Sequence, residues 1–206
     1  MTLVVILLAA GLSRRFGSAD KLLATFEGEP LLVRAARVLS QAHSERALIV
    51  VIPPNAAALT ETLHAVNLQP PPRFVINTSA FAGIGTSIAA AIAALDDTVT
   101  AALIALADMP FLTVGLIETL IAAHVADGGQ RPTHPILPDG TKMNPVIWPR
   151  SAFAQLTALT GDRGGKSILA QTDCCTVLVP DFCAFADVDT PQDLTKLQQS
   201  VGKSSL

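Results

Sequence analysis

The sequence predicts an α/β domain: a single doubly wound, mostly parallel sheet with helices on both faces. Three observations carry that expectation. Strand-sized apolar runs alternate with helix-sized amphipathic ones from residue 3 onward, and a βαβα succession folds as a parallel sheet with right-handed crossovers. The first run, Leu3-Val4-Val5-Ile6-Leu7-Leu8, is apolar at every position, as a central strand covered on both faces must be. With 206 residues, 50% of them hydrophobic, the chain is long enough to bury one sizeable core.

The elements follow in order. After a strand at 3–8, residues 30–41 place Leu31, Leu32, Ala35, Val38 and Leu39 on one helical face. Residues 46–52 read as a strand closed by Pro53-Pro54, and a helix follows over 57–67. The Pro70-Pro71-Pro72 turn leads into a short strand at 73–76, then an Ala-rich helix over 86–95 that Thr86 or Ser87 can cap, then a strand at 100–106. Thr113 is the N-cap candidate for a helix over 114–125. Residues 141–148 read as a strand preceded by a polar turn, and residues 161–168 as a glycine-rich basic loop opening a helix. Thr190-Pro191-Gln192-Asp193 starts a last helix, with proline in the first turn and Asp193 near the positive end of the dipole. One domain is expected over 1–195, with a C-terminal tail at 196–206.

Composition narrows the function classes. A net charge of −3 argues against a general nucleic-acid binder, which carries a basic face, and leaves small molecules or other proteins as partners. No apolar run has the length of a membrane span, and no basic stretch precedes the first one, so a cytoplasmic protein is expected. Cys174, Cys175 and Cys183 make no disulfide framework and lack metal-site spacing; they read as ordinary thiols. His43, His64, His124 and His134 are scattered, the first three within expected helices, and read as surface or packing residues.

Ligands of parallel sheets lie outside the carboxyl ends of the strands, so the strand ends are where chemistry is sought. The first strand runs into Ala9-Ala10-Gly11-Leu12-Ser13-Arg14-Arg15-Phe16-Gly17, with Asp20-Lys21 beyond. Small residues let backbone N–H groups approach a ligand, and Arg15 and Lys21 add the positive charge a triphosphate needs. A solvated surface turn is the bland reading of the same residues. The spacing fits neither G-x-x-x-x-G-K-[ST] nor G-x-G-x-x-G, which disfavours a P-loop kinase and an NAD-binding dehydrogenase. A later strand ends at Asn77 and leads to Phe81-Ala82-Gly83-Ile84-Gly85-Thr86-Ser87, a turn whose helix start can face an anion or a nucleotide base. The strand at 100–106 delivers Asp108, within Asp108-Met109-Pro110, to the mouth of the sheet. A carboxylate there must be solvated, paired or bound to a cation, and with Thr113 available as the cap, Asp108 is the first candidate metal ligand. Asp187 and Asp189 lie on one extended segment and are expected to face different sides, so one of them can complete the ion site.

The string Leu8-Ala9-Ala10-Gly11-x-Ser13-x-Arg15-Phe16-Gly17, with Lys21 beyond, resembles the signature loop of the nucleotidyltransferases related to the molybdenum-cofactor cytidylyl- and guanylyltransferases, the MobA-like NTP transferases. The resemblance runs from Leu3 to Leu194. It implies a GT-A-like, Rossmann-like fold of the nucleotide-diphospho-sugar transferase type. It also implies that Leu8, Ala9, Ala10 and Gly11 wrap the base and triphosphate of a bound nucleotide, while Arg15 and Lys21 neutralise its phosphates and act with Asp108 in catalysis. Asn77 and the Gly83-x-Gly85-x-Ser87 segment are the implied second nucleotide-binding stretch. Asp108 and, by resemblance, Asp189 rather than Asp187 would hold Mg²⁺. Gly161-Asp162-Arg163-Gly164 resembles the acceptor-binding loop, and Asn144-Pro145 stands where relatives commonly have His-Pro. The loop carries one residue more, around Ser18-Ala19, than relatives often have before the lysine. Ala9-Ala10-Gly11, lacking the Ala-Gly-Gly of guanine-binding relatives, favours the cytidylyl branch.

The implied activity is transfer of CMP from CTP to a molybdopterin-type cofactor with release of pyrophosphate. A client molybdoenzyme would be the possible recipient, with neither nucleic acid nor membrane as partner. Use of GTP, a sugar- or polyol-phosphate acceptor, and a non-catalytic cofactor chaperone are the alternatives.

Overall fold

The strand β1 (Leu3–Leu8) lies in the interior of a seven-stranded sheet, and all six of its residues are buried. In this computed structural model, residues 1–11, 13, 15–17, 20–43, 45 and 47–204 are described, with side chains through residue 200. A two-residue-per-strand hairpin, β2 (Thr25–Phe26) and β3 (Glu29–Pro30), precedes α1 (Leu31–Ala42). β4 (Ile49–Ile52), α2 (Ala57–Ala65), β5 (Arg73–Ile76), α3 (Ile84–Ala93), β6 (Ala101–Leu106) and α4 (Val114–Ala126) complete the alternating part. β7 (Thr133–Ile136), β8 (Val146–Pro149), α5 (Phe153–Thr157), α6 (Lys166–Leu169), β9 (Cys175–Leu178) and α7 (Pro191–Ser204) follow.

The sheet order is β5-β4-β1-β6-β8-β7-β9. β5, β4, β1 and β6 run parallel, β8 is antiparallel to both β6 and β7, and β9 returns parallel to β7. The sheet is therefore mostly parallel, with one reversal. Alternation along β1 divides the core by face. Leu3, Val5 and Leu7 pack with Leu32, Leu39 and Leu63 of α1 and α2 and Ile117 and Leu120 of α4. Val4, Ile6 and Leu8 pack with Ile88 and Ile92 of α3, Leu156 of α5 and Leu169 of α6. Each such aliphatic side chain contributes about 1.5–3 kcal/mol on burial, which is why the apolar run fixes the centre of the fold.

Several elements differ from the sequence expectation. The strand expected at 46–52 spans only Ile49–Ile52, and Arg46 lies outside the described residues. The helix expected from residue 86 begins at Ile84, and neither Thr86 nor Ser87 caps it. Gly83, at φ 117°, turns the chain into the helix, a conformation that a side chain resists. Thr86 Oγ1 instead stands within hydrogen-bond distance of the Ser79 and Gly83 carbonyls, either of which can accept its one proton. Residues 141–145 are not strand beyond a single bridge from Lys142 to Ile136, since the ladder begins at Val146. Thr113 does cap α4, accepting from Leu116 N at 3.2 Å. Thr190 and Asp193 cap α7 reciprocally: Asp193 N donates to Thr190 Oγ1 and Thr190 N donates to Asp193 Oδ2. Among the described residues no helix is long and apolar enough to cross a membrane.

Candidate active site

The register Leu8↔Leu106 brings the carboxyl ends of β1 and β6 side by side, so the residues after each strand share one cleft. Ala9 and Ala10 continue buried, and the Ala107 N–H donates to the Leu8 carbonyl at 3.2 Å. Beyond Gly11 the loop is folded by two short polar side chains. Ser13 Oγ accepts from Lys21 N at 3.2 Å and donates to Asp20 Oδ1 at 3.3 Å. Asp20 in turn accepts from Leu22 N at 3.0 Å and caps the one-turn 3₁₀ helix over Lys21–Leu23. The backbone of Lys21 is thus fixed and its side chain is aimed into the cleft. Leu12, Arg14, Ser18 and Ala19 lie outside the described residues.

The second acid arrives from the far end of the chain. Val188 is fully buried in a small satellite core with Phe26 of the hairpin, Leu31 of α1 and Leu194 and Leu197 of α7. Its N–H donates to the Asp108 carbonyl at 3.0 Å. Strict strand alternation would put Asp187 and Asp189 together on the face opposite Val188; residues 186–189 are not regular strand, and the two carboxylates part. Asp189 faces the same cleft as Asp108, and Asp187 faces its neighbour.

Four charges meet in the cleft. Lys21 Nζ donates to Asp108 Oδ2 at 2.6 Å and to the Val188 carbonyl at 2.9 Å, and lies 3.4 Å from Asp189 Oδ1. Arg15 donates to Asp189 Oδ2 at 2.7 Å. Burial pulls the Lys21 ammonium down, but the adjacent Asp108 and Asp189 carboxylates outweigh it and hold its pKa above the ordinary lysine value. Desolvation, then repulsion from Asp108 and Asp189, pushes the Asp187 carboxyl up. Asp108 Oδ1 is buried without a hydrogen-bond partner, a group that a hard cation would satisfy. Among the described residues no three His, Cys, Asp or Glu side chains converge, so a divalent ion at Asp108 and Asp189 would take further oxygens from phosphate or water.

Two cavities flank these acids. The first, about 450 Å³, is lined by Leu8, Ala10, Gly11, Arg15, Lys21, Gly83, Ser87, Asp108, Asp162 and Asp189, all singled out from the sequence, together with Ser13, Leu22, Ala80, Phe81, Ile84 and Leu106. The second, about 520 Å³, is lined by Asn144, Asp162, Arg163 and Gly164, with Lys142, Trp148, Lys166 and Asp187 among the others. Leu8, Ile84, Leu106 and Asp162 border both.

Other expected site residues stand behind the walls. Asn77 is buried, and its amide is used internally: Nδ2 donates to Thr86 Oγ1 and Ser87 Oγ, while Oδ1 accepts from Ser79 N. Gly85 N donates to Gly161 O at 2.9 Å, and a Cβ on Gly85 would lie 2.6 Å from Arg163 O. A Cβ on Gly83 would meet the Asp162 carboxylate and the Gly161 backbone. The two glycines therefore let the 160–163 loop dock on the start of α3. Ala9 and Pro145 line neither cavity.

Phe81, within the turn that the sequence marks as a ligand-facing helix start, also lines the first cavity and is 70% exposed there, a rim position that only the structure shows. Lys142, Trp148 and Lys166 lie within the 141–148 and 161–168 segments that the sequence marks but are not singled out there; the second cavity brings the three side chains together.

Comparisons with known proteins agree with this geometry. The MobA-like NTP transferase domain matches residues 5–175. Nicotine blue oxidoreductase of Paenarthrobacter nicotinovorans is 29% identical over 200 residues, covering 93% of this chain and 94% of that protein. The crystal structure of Rv0371c from Mycobacterium tuberculosis H37Rv in complex with manganese superposes with TM-score 0.78 at 22% identity, over 97% of this chain and 100% of the other. Molybdopterin-guanine dinucleotide biosynthesis protein A from Archaeoglobus fulgidus superposes with TM-score 0.69 at 20% identity, over 97% and 98%. A match across most of the chain, on a sheet with this order and this cleft, places the protein in the MobA-like NTP transferase family as a nucleotidyltransferase.

Proposed function

We propose that the protein transfers CMP from CTP to the phosphate of a molybdopterin-type cofactor, using Mg²⁺ at Asp108 and Asp189, for delivery to a client molybdoenzyme. The observation that carries this reading is the pair of cavities meeting at Leu8, Leu106 and Asp162, with the acids Asp108 and Asp189 on the wall of one and the cations Lys142, Arg163 and Lys166 on the wall of the other. A donor triphosphate fits the first, where Gly11 offers open backbone and Arg15 and Lys21 offer charge. An acceptor with an apolar ring body and an anionic phosphate fits the second, where Trp148 and aliphatic side chains face those cations.

The reaction asks mainly for positioning and charge compensation. A phosphate oxygen of the acceptor attacks the α-phosphorus of the nucleotide, the bond to the β-phosphate oxygen breaks, and pyrophosphate leaves. Arg15 and Lys21 neutralise the triphosphate so that one anion can approach another, and Arg163 and Lys166 hold the attacking phosphate. A divalent ion held by Asp108 and Asp189 would polarise the phosphorus and stabilise charge on the departing pyrophosphate. Asp189 is favoured over Asp187 as second ligand because it shares the donor cavity with Asp108. Ala9-Ala10-Gly11 supports CTP over GTP.

The test is pyrophosphate release with molybdopterin-type cofactor, Mg²⁺ and CTP or GTP in parallel. Release with CTP alone is expected, and release with GTP alone would move the donor to guanine. Silence with both, alongside turnover of a sugar or polyol phosphate, would reassign the acceptor; binding of cofactor without any release would make the protein a carrier. The relative named as an oxidoreductase motivates one further arm. Redox conversion of nicotine blue, without pyrophosphate release, would replace the transfer reading.

A further inference from the structure

Four charged side chains of the donor cavity are one another's partners. Lys21 Nζ reaches both carboxylates, at 2.6 Å from Asp108 and 3.4 Å from Asp189, and Arg15 takes the other oxygen of Asp189 at 2.7 Å. Two positive and two negative groups are thereby balanced inside the cleft. A divalent ion held by both acids must replace Lys21 as their shared partner. Building on the nucleotidyltransferase reading above, we infer that Lys21 is a resident place-holder for the divalent ion, so that metal and triphosphate enter only together, by an exchange of partners. The ammonium and guanidinium pass to phosphate oxygens as the carboxylates pass to the metal.

The environment makes the exchange cooperative. The Lys21 and Asp108 side chains are only 10% and 18% exposed, so their attraction is poorly screened by solvent and salt. A metal ion arriving alone would be brought against an ammonium that has no other anionic partner. A triphosphate arriving alone would draw Lys21 away and leave Asp108, with one oxygen already unpartnered, as an uncompensated buried charge. Only the metal–triphosphate pair gives both carboxylates a cation and both cations a phosphate.

The chain is built for the swing. Ser13 and Asp20 anchor the Lys21 backbone, and an exchange of partners needs only rotation about its four-carbon stem, which the planar fork of an arginine would not match as readily. Arg15 is the lesser half of the device, since its side chain is 73% exposed and its pair with Asp189 is correspondingly weaker.

The experiment measures Mn²⁺ binding to the full chain by electron paramagnetic resonance, with and without CTP or GTP, in the absence of acceptor. The wild type should bind Mn²⁺ weakly alone and about tenfold or more tightly with the preferred nucleotide, an ordinary size for coupling between two ligands. Lys21→Met, confirmed folded by circular dichroism, should bind Mn²⁺ alone about tenfold more tightly than wild type and lose most of the nucleotide enhancement. Arg15→Gln should move the same way by a smaller factor, and decides the matter if Lys21→Met does not fold. Unchanged or weaker Mn²⁺ binding in these variants, with nucleotide-dependent binding abolished by Asp108→Asn, would overturn the place-holder while leaving the site reading standing. Wild-type Mn²⁺ and nucleotide binding in Asp108→Asn would overturn both.

Discussion

Replacing Gly85 by alanine bears chiefly on acceptor binding, because this glycine supports the proposed acceptor loop, of which only Asp162 borders the donor cavity. The added Cβ would stand 2.6 Å from Arg163 O, 2.9 Å from Gly161 O and 3.1 Å from Thr160 O, where ordinary contact begins at 3.4 Å. All three obstacles are backbone atoms of one loop, so the loop must withdraw by about 0.8 Å, the difference between 3.4 and 2.6 Å. Withdrawal stretches the 2.9 Å hydrogen bond from Gly85 N to Gly161 O, a loss of about 0.5–1.5 kcal/mol. Alanine recovers about 0.8–1 kcal/mol of helix propensity in α3, so overall stability should change by less than about 1 kcal/mol. Catalysis is less forgiving, since a misplacement approaching 1 Å costs on the order of 100-fold. Steady-state kinetics with acceptor varied should show kcat/KM falling about 10- to 100-fold, while equilibrium binding of CTP stays within about threefold of wild type. Wild-type acceptor kinetics in a variant of wild-type stability would refute the role assigned to this loop.

Other perturbations test the remaining links. Asp108→Asn removes a charge with little change of volume, so turnover should fall about 100-fold or more while the melting temperature is kept; near-normal turnover would sink the metal assignment. Asp20→Ala deletes the cap that orders Lys21, and should cost about 1 kcal/mol in denaturant unfolding together with weaker nucleotide binding; an intact nucleotide affinity would show that Lys21 is placed by something else. His124 and His134 are fully buried, each with Nε2 unpartnered, and desolvation holds both below the ordinary histidine pKa. The unfolded chain therefore takes up protons that the fold refuses. Stability from the pair is fully present above the unfolded pKa of about 6.5 and drains away as pH falls below it, by at most about 1.4 kcal/mol per unit for each histidine. Chemical denaturation between about pH 7.5 and 5.5 reads this directly, and a flat profile would show that the histidines charge without penalty.

The parallel half of the sheet was legible because its signals are local. An uninterrupted apolar strand, a Thr113 cap and a Thr190-Pro191 helix start with Asp193 in its first turn each act within a few residues, and each appears in the structure. The other half was not, for a physical reason. β7 is Thr133-His134-Pro135-Ile136, four residues carrying a proline and a histidine, and its place in the sheet comes from pairing with Cys175–Leu178 some forty residues later. His134 reads as a scattered polar residue until that pairing and the neighbouring β8 seal it from water. The start of α3 was misjudged similarly: Thr86 looks like a cap, but Gly83 accepts the strained turn and leaves the hydroxyl to brace Asn77.

The site divides along the same line, and the division explains what its residues are for. Residues that touch a ligand cavity, such as Gly11, Lys21, Asp108 and Asp189, could be picked out because small, cationic and acidic types at strand ends have few structural uses. Asn77 and Gly85 drew notice for the same chemistry yet serve as scaffolding, since an amide or a missing Cβ is as useful for holding two turns together as for holding a nucleotide. What no local pattern could reveal is that the acids and cations of the donor cavity pair with each other across 174 residues of chain, from Arg15 to Asp189. That pairing turns a set of individually plausible binding groups into a balanced quartet. A balanced quartet opposes either ligand alone and accepts the metal–triphosphate pair, so selectivity for the complete donor resides in the arrangement of these four side chains.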